Sequence, residues 1–114
     1  MQITRISEAK PYEALRHVDV SALRLQGMEA TETENFWCGL SHYLPGGRAE
    51  KGSAPLERIY VVLEGEITVT TGSGDAVLGP LDSCHIAAGE ERTVENRANG
   101  VAAMLVIMPN PPKE

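Results

Sequence analysis

At 114 residues with 42% hydrophobic residues and a net charge of −6, the chain has room for one domain around one core and none for a second. Its ten Lys and Arg form no basic run, which argues against nucleic acid or an anionic membrane as partner and leaves a small molecule or another protein. Two cysteines without CxxC spacing, Cys38 and Cys84, and an amino end without a charged-then-apolar leader predict a reducing, cytoplasmic compartment.

In chain order, MQITRISEAKPYEALRHV has mixed polarity and a proline at Pro11, and it reads as an arm. Residues 1–34 are assigned to this arm and the first strand or strands. From there on, short apolar or alternating runs are punctuated by Gly, Pro, Asn and Asp, the rhythm of an all-β sandwich or barrel. Strands are expected over Val20 to Leu25, Asn35 to Leu44, Arg58 to Leu63, Glu66 to Thr71, Asp75 to Leu78, Ser83 to Ile86, Arg92 to Asn96 and Val101 to Met108. The turns between them are EG at 64–65, TGSGD at 71–75, AAGEE at 87–91 and NRANG at 96–100. The apolar run VAAMLVIM is far shorter than the roughly 20 residues that span a bilayer and is a terminal buried strand. The barrel core is assigned to 35–110. Prolines in the tail, residues 111–114, lack the N–H that would extend a ladder.

Two stretches carry a resemblance. GGRAEKGSAPLERIYVVLEGEITV, Gly46 to Val69, resembles the first motif of the cupin superfamily, in which a glycine is followed by a His-x-His pair, a glutamate and a second glycine; Gly46 and Gly65 fall on the two glycines. LDSCHIAAGEERTVEN resembles the second motif, with Gly89 and Asn96 on the turn glycine and the asparagine. The resemblance implies a single-domain jelly-roll barrel that forms a homodimer. It also implies a metal site, but the positions of the four ligands are occupied by Gly52, Ala54, Arg58 and Arg92. Metal sites need several His, Cys or carboxylate donors converging on one point. The expectation is therefore a cupin with no metal and no other cofactor.

If positions 58 and 92 still face the barrel interior, Arg58, Tyr60 and Val62 point inward from one strand, and Arg92 and Val94 from another. Two guanidinium groups there would repel and would be costly to desolvate, so a negative group is expected beside them. Planar donors of this kind suit a carboxylate or phosphate, and Arg58, Arg92, Tyr60 and His85 form the expected binding set for a small anionic molecule. The alternative for each arginine is a rim position paired with Glu50, Glu90 or Glu91.

In NFWCGLSHYL, Phe36, Cys38, Leu40, His42 and Leu44 share one face, which reads as inward and gives His42 the role of proton-transfer group. A hydrogen-bonded core histidine is the alternative. Trp37 and Tyr43, on the other face, are expected at a subunit interface or against the arm. His17 is expected at the surface of the arm and Cys84 in the core. A rearranged metal set of His42, His85 and Glu57 stays open.

Two functions follow: a metal-independent binder of a small anion, serving as a sensor or pathway accessory, or a small isomerase, lyase or epimerase acting on an acidic substrate through His42.

Overall fold

The short alternating runs become nine strands in a computed structural model that describes residues 1–112. They are β1 (Lys10–Tyr12), β2 (His17–Gln26), β3 (Phe36–Gly52), β4 (Arg58–Glu64), β5 (Ile67–Thr71), β6 (Gly74–Leu78), β7 (Ser83–Ile86), β8 (Arg92–Glu95) and β9 (Ala102–Pro109). A single 3₁₀ turn, Ile6–Glu8, precedes them. Lys113 and Glu114, the end of the expected tail, lie outside the described residues.

Every strand pairing is antiparallel, in the order β6-β5-β8-β3-β9-β4-β7, with β2 added to β3 and β1 to β2. The result is the expected all-β jelly-roll barrel, nearly closed on itself. Closure depends on β3, whose first half pairs β9 from Phe36 to Tyr43 and whose second half pairs β8 from Arg48 to Gly52. The strand changes partner at Pro45-Gly46-Gly47. Gly46 has φ +81°, and a Cβ on Gly47 would stand 2.5 Å from the Asp19 carbonyl oxygen. Bends of this kind turn one strand through the corner between two sheets.

The sequence reading ended this strand at Leu44, because a Pro-Gly-Gly run ordinarily marks a turn. Here it marks a bend within a strand of 17 residues. The arm carries the short strand β1, and β2 begins at His17 where the strand was expected from Val20.

Alternation along the strands delivers Tyr43, Val62, Ile67, Val94 and Met104 to the core, all essentially inaccessible. Asn96 ties the barrel corner together. Its side-chain amide donates to the carbonyls of Tyr43 and Gly100, at 2.9 and 2.8 Å, while its side-chain oxygen accepts from the Ala98 N–H at 3.0 Å. The β4–β5 turn requires a glycine at 65: φ is +74°, and an added Cβ would meet the Val101 carbonyl oxygen at 2.8 Å.

Candidate functional site

Strands β3, β4 and β8 each send side chains into one chamber of about 180 Å³ inside the barrel. From β4 come Arg58 and Tyr60, and from β8 comes Arg92. Parity along β4 holds, since Arg58, Tyr60 and Val62 are all at most 3% exposed, while Arg92 on β8 is partly exposed. A second hollow of about 280 Å³, lined by Arg16, Glu50, Gly52 and Ser53, shares Ala54, Arg58 and Arg92 with the chamber. The two arginines therefore line both hollows.

What lies between the guanidinium groups is a phenol and not an acid. Arg58 and Arg92 each donate Nε–H to the Tyr60 hydroxyl oxygen at 3.0 Å. Arg92 also donates from Nη1 to the backbone carbonyl of Glu50 at 3.0 Å. Nη2 of Arg58 is buried without any partner. No Asp or Glu side chain is among the residues lining the chamber. A buried cationic donor left unpaired in this way is costly, and among the described residues no acidic side chain pairs with Arg58.

Much of the remaining wall is aromatic, with Ala14, Ser41, Val106 and Met108 beside it. Tyr12 from β1 and Trp37 from β3 meet edge to face, 5.9 Å between ring centroids, and the Arg24 guanidinium lies 3.5 Å from the Tyr12 ring centre. Glu29 holds Arg24 in place at 2.9 Å. Burial raises the Tyr12 phenol, with Arg24 opposing it, and burial raises Tyr43 further still. Both stay neutral.

His17 also lines the chamber, its ring 6.4 Å from that of Tyr43. Nδ1 is 2.8 Å from the Leu15 carbonyl oxygen. Burial lowers its pKa below the ordinary value of 6.5; the Leu15 bond opposes that shift and the Arg92 charge adds to it.

Three expectations require correction. The inward face of β3 is Trp37, Ser41 and Tyr43, so His42 lies on the opposite face and does not line the chamber. Of the two alternatives for the aromatic pair, interface or arm, Trp37 takes the second by packing against Tyr12, and both aromatic residues are buried. Counting apolar residues on each face misled, because the Phe36–Leu44 face gains its apolar character from residues on the outer side of the sheet. The better cue was size: Trp and Tyr lose most by remaining in water. His85 also lies elsewhere, with a half-exposed side chain whose Nε2 is 2.7 Å from Glu57 Oε1. His17, placed at the surface of the arm by the sequence reading, belongs to the chamber.

At the family's ligand positions stand two small residues and two permanent cations, none able to ligate a metal. Among the described residues, no group of three or more His, Cys, Asp or Glu side chains gathers at one point. The residues present do not fit a metal centre of the usual kind. No described helix is long and apolar enough to cross a membrane.

Comparison with known proteins bears on the family and the fold. The Cupin domain family matches residues 39–108. A Mycobacterium tuberculosis protein named Beta-D-galactosidase Rv1717 is 49% identical over 114 residues, covering 100% of this chain and 98% of that protein. Among solved structures, the polyketide cyclase RemF from Streptomyces resistomycificus superposes with a TM-score of 0.84 at 18% identity, covering 98% of this chain and 82% of its own. A predicted oxalate decarboxylase from Thermotoga maritima gives 0.78 at 21% identity, covering 97% and 100%. These two structures share the fold.

Proposed function

This chain belongs to the cupin family, and from that premise we propose that it is a small-molecule enzyme whose barrel chamber binds and hydrolyses a β-galactoside. The observation that carries the reading is the 49% identity to a protein named as a β-D-galactosidase, which runs from end to end of both chains. The chamber is compatible with it. Tyr12, Trp37 and Tyr43 offer flat apolar walls for the C–H face of a sugar ring, while Ser41, His17 and Tyr60 offer hydrogen-bonding groups for its hydroxyls. The test is release of nitrophenol from a nitrophenyl β-galactoside, with the α-anomer and the β-glucoside as controls. Hydrolysis confined to the β-galactoside is expected, and no release from purified protein would sink the reading.

A second reading is favoured by charge. Two guanidinium groups, one with an unpartnered Nη2, and no acid in the chamber suit a bound carboxylate or phosphate. In that reading the protein is the metal-independent anion binder expected from sequence. A thermal-shift series with small carboxylates and inorganic phosphate separates the two: stabilisation by anions and not by galactose supports the binder. The isomerase, lyase or epimerase reading loses its proton-transfer group, because His42 faces away from the chamber. A homodimer and a cytoplasmic location remain part of the proposal, the second supported by two cysteines that form no disulfide.

A further inference from the structure

Most glycosidases cleave with two carboxylates flanking the scissile bond. This chamber has none, and Glu50 is the one acid lining the adjoining hollow. If the protein is a galactosidase, the acid and the base must come from other side chains. We propose that Tyr60 is the general acid and His17 the general base of glycoside cleavage in the barrel chamber.

A neutral phenol has one proton to donate and two acceptor positions. At Tyr60 both acceptor positions are taken, by Arg58 Nε and Arg92 Nε at 3.0 Å each. The O–H is therefore left to donate to a third partner, and no group among the described residues receives it. When that proton leaves, the negative charge stays on an oxygen already held by two charge-assisted donors. The same two guanidinium groups would oppose positive charge on a sugar ring if they stood alone. A phenolate that develops between them as the glycosidic bond breaks supplies the compensating negative charge.

His17 is set up for the opposite transfer. A backbone carbonyl only accepts, so the 2.8 Å contact with Leu15 places the ring proton on Nδ1 and leaves a lone pair on Nε2. The charged and titratable groups that share the chamber with it are Arg58, Arg92, Tyr12, Tyr43 and Tyr60, none of them an acid that would hold the imidazole protonated. Burial and Arg92 keep it uncharged at neutral pH.

The step balances without a further reagent. The water oxygen bonds to the anomeric carbon while His17 Nε2 takes one water proton. The bond from that carbon to the aglycone oxygen breaks, its electron pair stays on the oxygen, and the oxygen takes the Tyr60 proton. Imidazolium and phenolate then return to their neutral forms by exchange with solvent. One water is consumed and two alcohols leave, with inversion at the anomeric carbon because no protein nucleophile intervenes.

This assignment rests on the galactosidase reading, and the experiment separates the two. Wild-type protein is assayed first on dinitrophenyl and mononitrophenyl β-galactosides, with the product anomer read by NMR. Inactivity of wild type on both overturns the galactosidase reading and the assignment with it. With wild type active, an α-anomer as first product is expected, and a β-anomer overturns the assignment alone. His17→Asn keeps a donor for Leu15 but removes the base. Its kcat should fall about 100-fold with little change in KM, and azide, which needs no deprotonation, should restore turnover as galactosyl azide. Tyr60→Phe should lose at least about 10-fold more on the mononitrophenyl than on the dinitrophenyl substrate, whose leaving group needs no proton. Because that ratio is taken within one variant, partial misfolding does not mimic it. Equal losses on both substrates, or His17→Asn retaining wild-type kcat, overturn the assignment and leave the galactosidase reading standing.

Discussion

Arg92 and Tyr60 lie 32 residues apart in sequence, and the guanidinium Nε of the first donates to the phenolic oxygen of the second at 3.0 Å. With Arg58 donating to the same oxygen, one hydroxyl links β4 to β8 across the chamber. Tyr60→Phe removes the acceptor of one buried and one partly buried N–H group. It is expected to lower stability by about 1–3 kcal/mol. Urea unfolding checks this, and a midpoint equal to wild type would show that the bridge contributes nothing to folding.

Arg58→Met should behave in the opposite way. The side chain is 3% exposed, has no counter-ion, and its Nη2 has no partner. Replacing such a cation by an apolar chain of similar length is expected to leave ligand-free stability unchanged or raised by up to about 2 kcal/mol, while weakening ligand binding. Paired urea titrations with and without ligand decide it. A clear loss of ligand-free stability would make Arg58 a structural strut.

His17 sets a pH dependence whose sign follows from its depressed pKa. The unfolded chain takes up the imidazole proton at about 6.5, before the folded chain does, so the stability contributed by neutral His17 is complete above that pH and is lost as pH falls toward the lower folded value. Arg92 and Tyr43, which face it, do not change charge in this range. Melting temperatures recorded between about pH 7.5 and 5 should fall more steeply for wild type than for His17→Gln. Parallel slopes would refute the coupling.

Asn96→Ala should be among the costliest single changes away from the chamber. It removes two donated bonds and one accepted bond, to Tyr43, Gly100 and Ala98. A loss of about 3 kcal/mol is expected from the stranded backbone groups. A variant within about 0.5 kcal/mol of wild type, the usual range of a surface change, would show that water replaces the amide.

The proposed dimer is best tested on the outer face of the barrel. Cross-strand register places Leu40 beside Leu105 and Leu105 beside Val61, and Cys38 beside Ile107 and Ile107 beside Ile59. These two apolar rows point away from the chamber. Sedimentation of wild type as a dimer and of Leu105→Glu as a monomer is expected. A wild-type monomer at micromolar concentration would remove the dimer from the proposal.

The strand rhythm and the turn glycines were legible in the sequence because each is set by local chemistry, alternation and positive φ; Asn96 was legible only through the motif, since its bond to the Tyr43 carbonyl joins distant parts of the chain. Arg58, Tyr60 and Arg92 were legible by parity once the motif had been aligned. The inner face of β3 was not. Both of its faces are rich in apolar residues, and which one turns inward depends on the bend at Gly46 and on partners far away in sequence. His17 was invisible for a related reason: its place in the chamber comes from β2 pairing with β3, a contact that nothing in MQITRISEAKPYEALRHV announces.

The segment that matches the family, residues 39–108, does not contain Tyr12, His17 or Trp37. The part of the chain that marks its ancestry is thus distinct from the part that completes the walls of its chamber. A barrel built this way can keep its frame while exchange of a short amino-terminal ribbon alters what it accepts. Two chains alike in the shared segment can thus diverge in substrate through changes in their first forty residues or so, and grafting that ribbon between relatives is a direct route to altered selectivity.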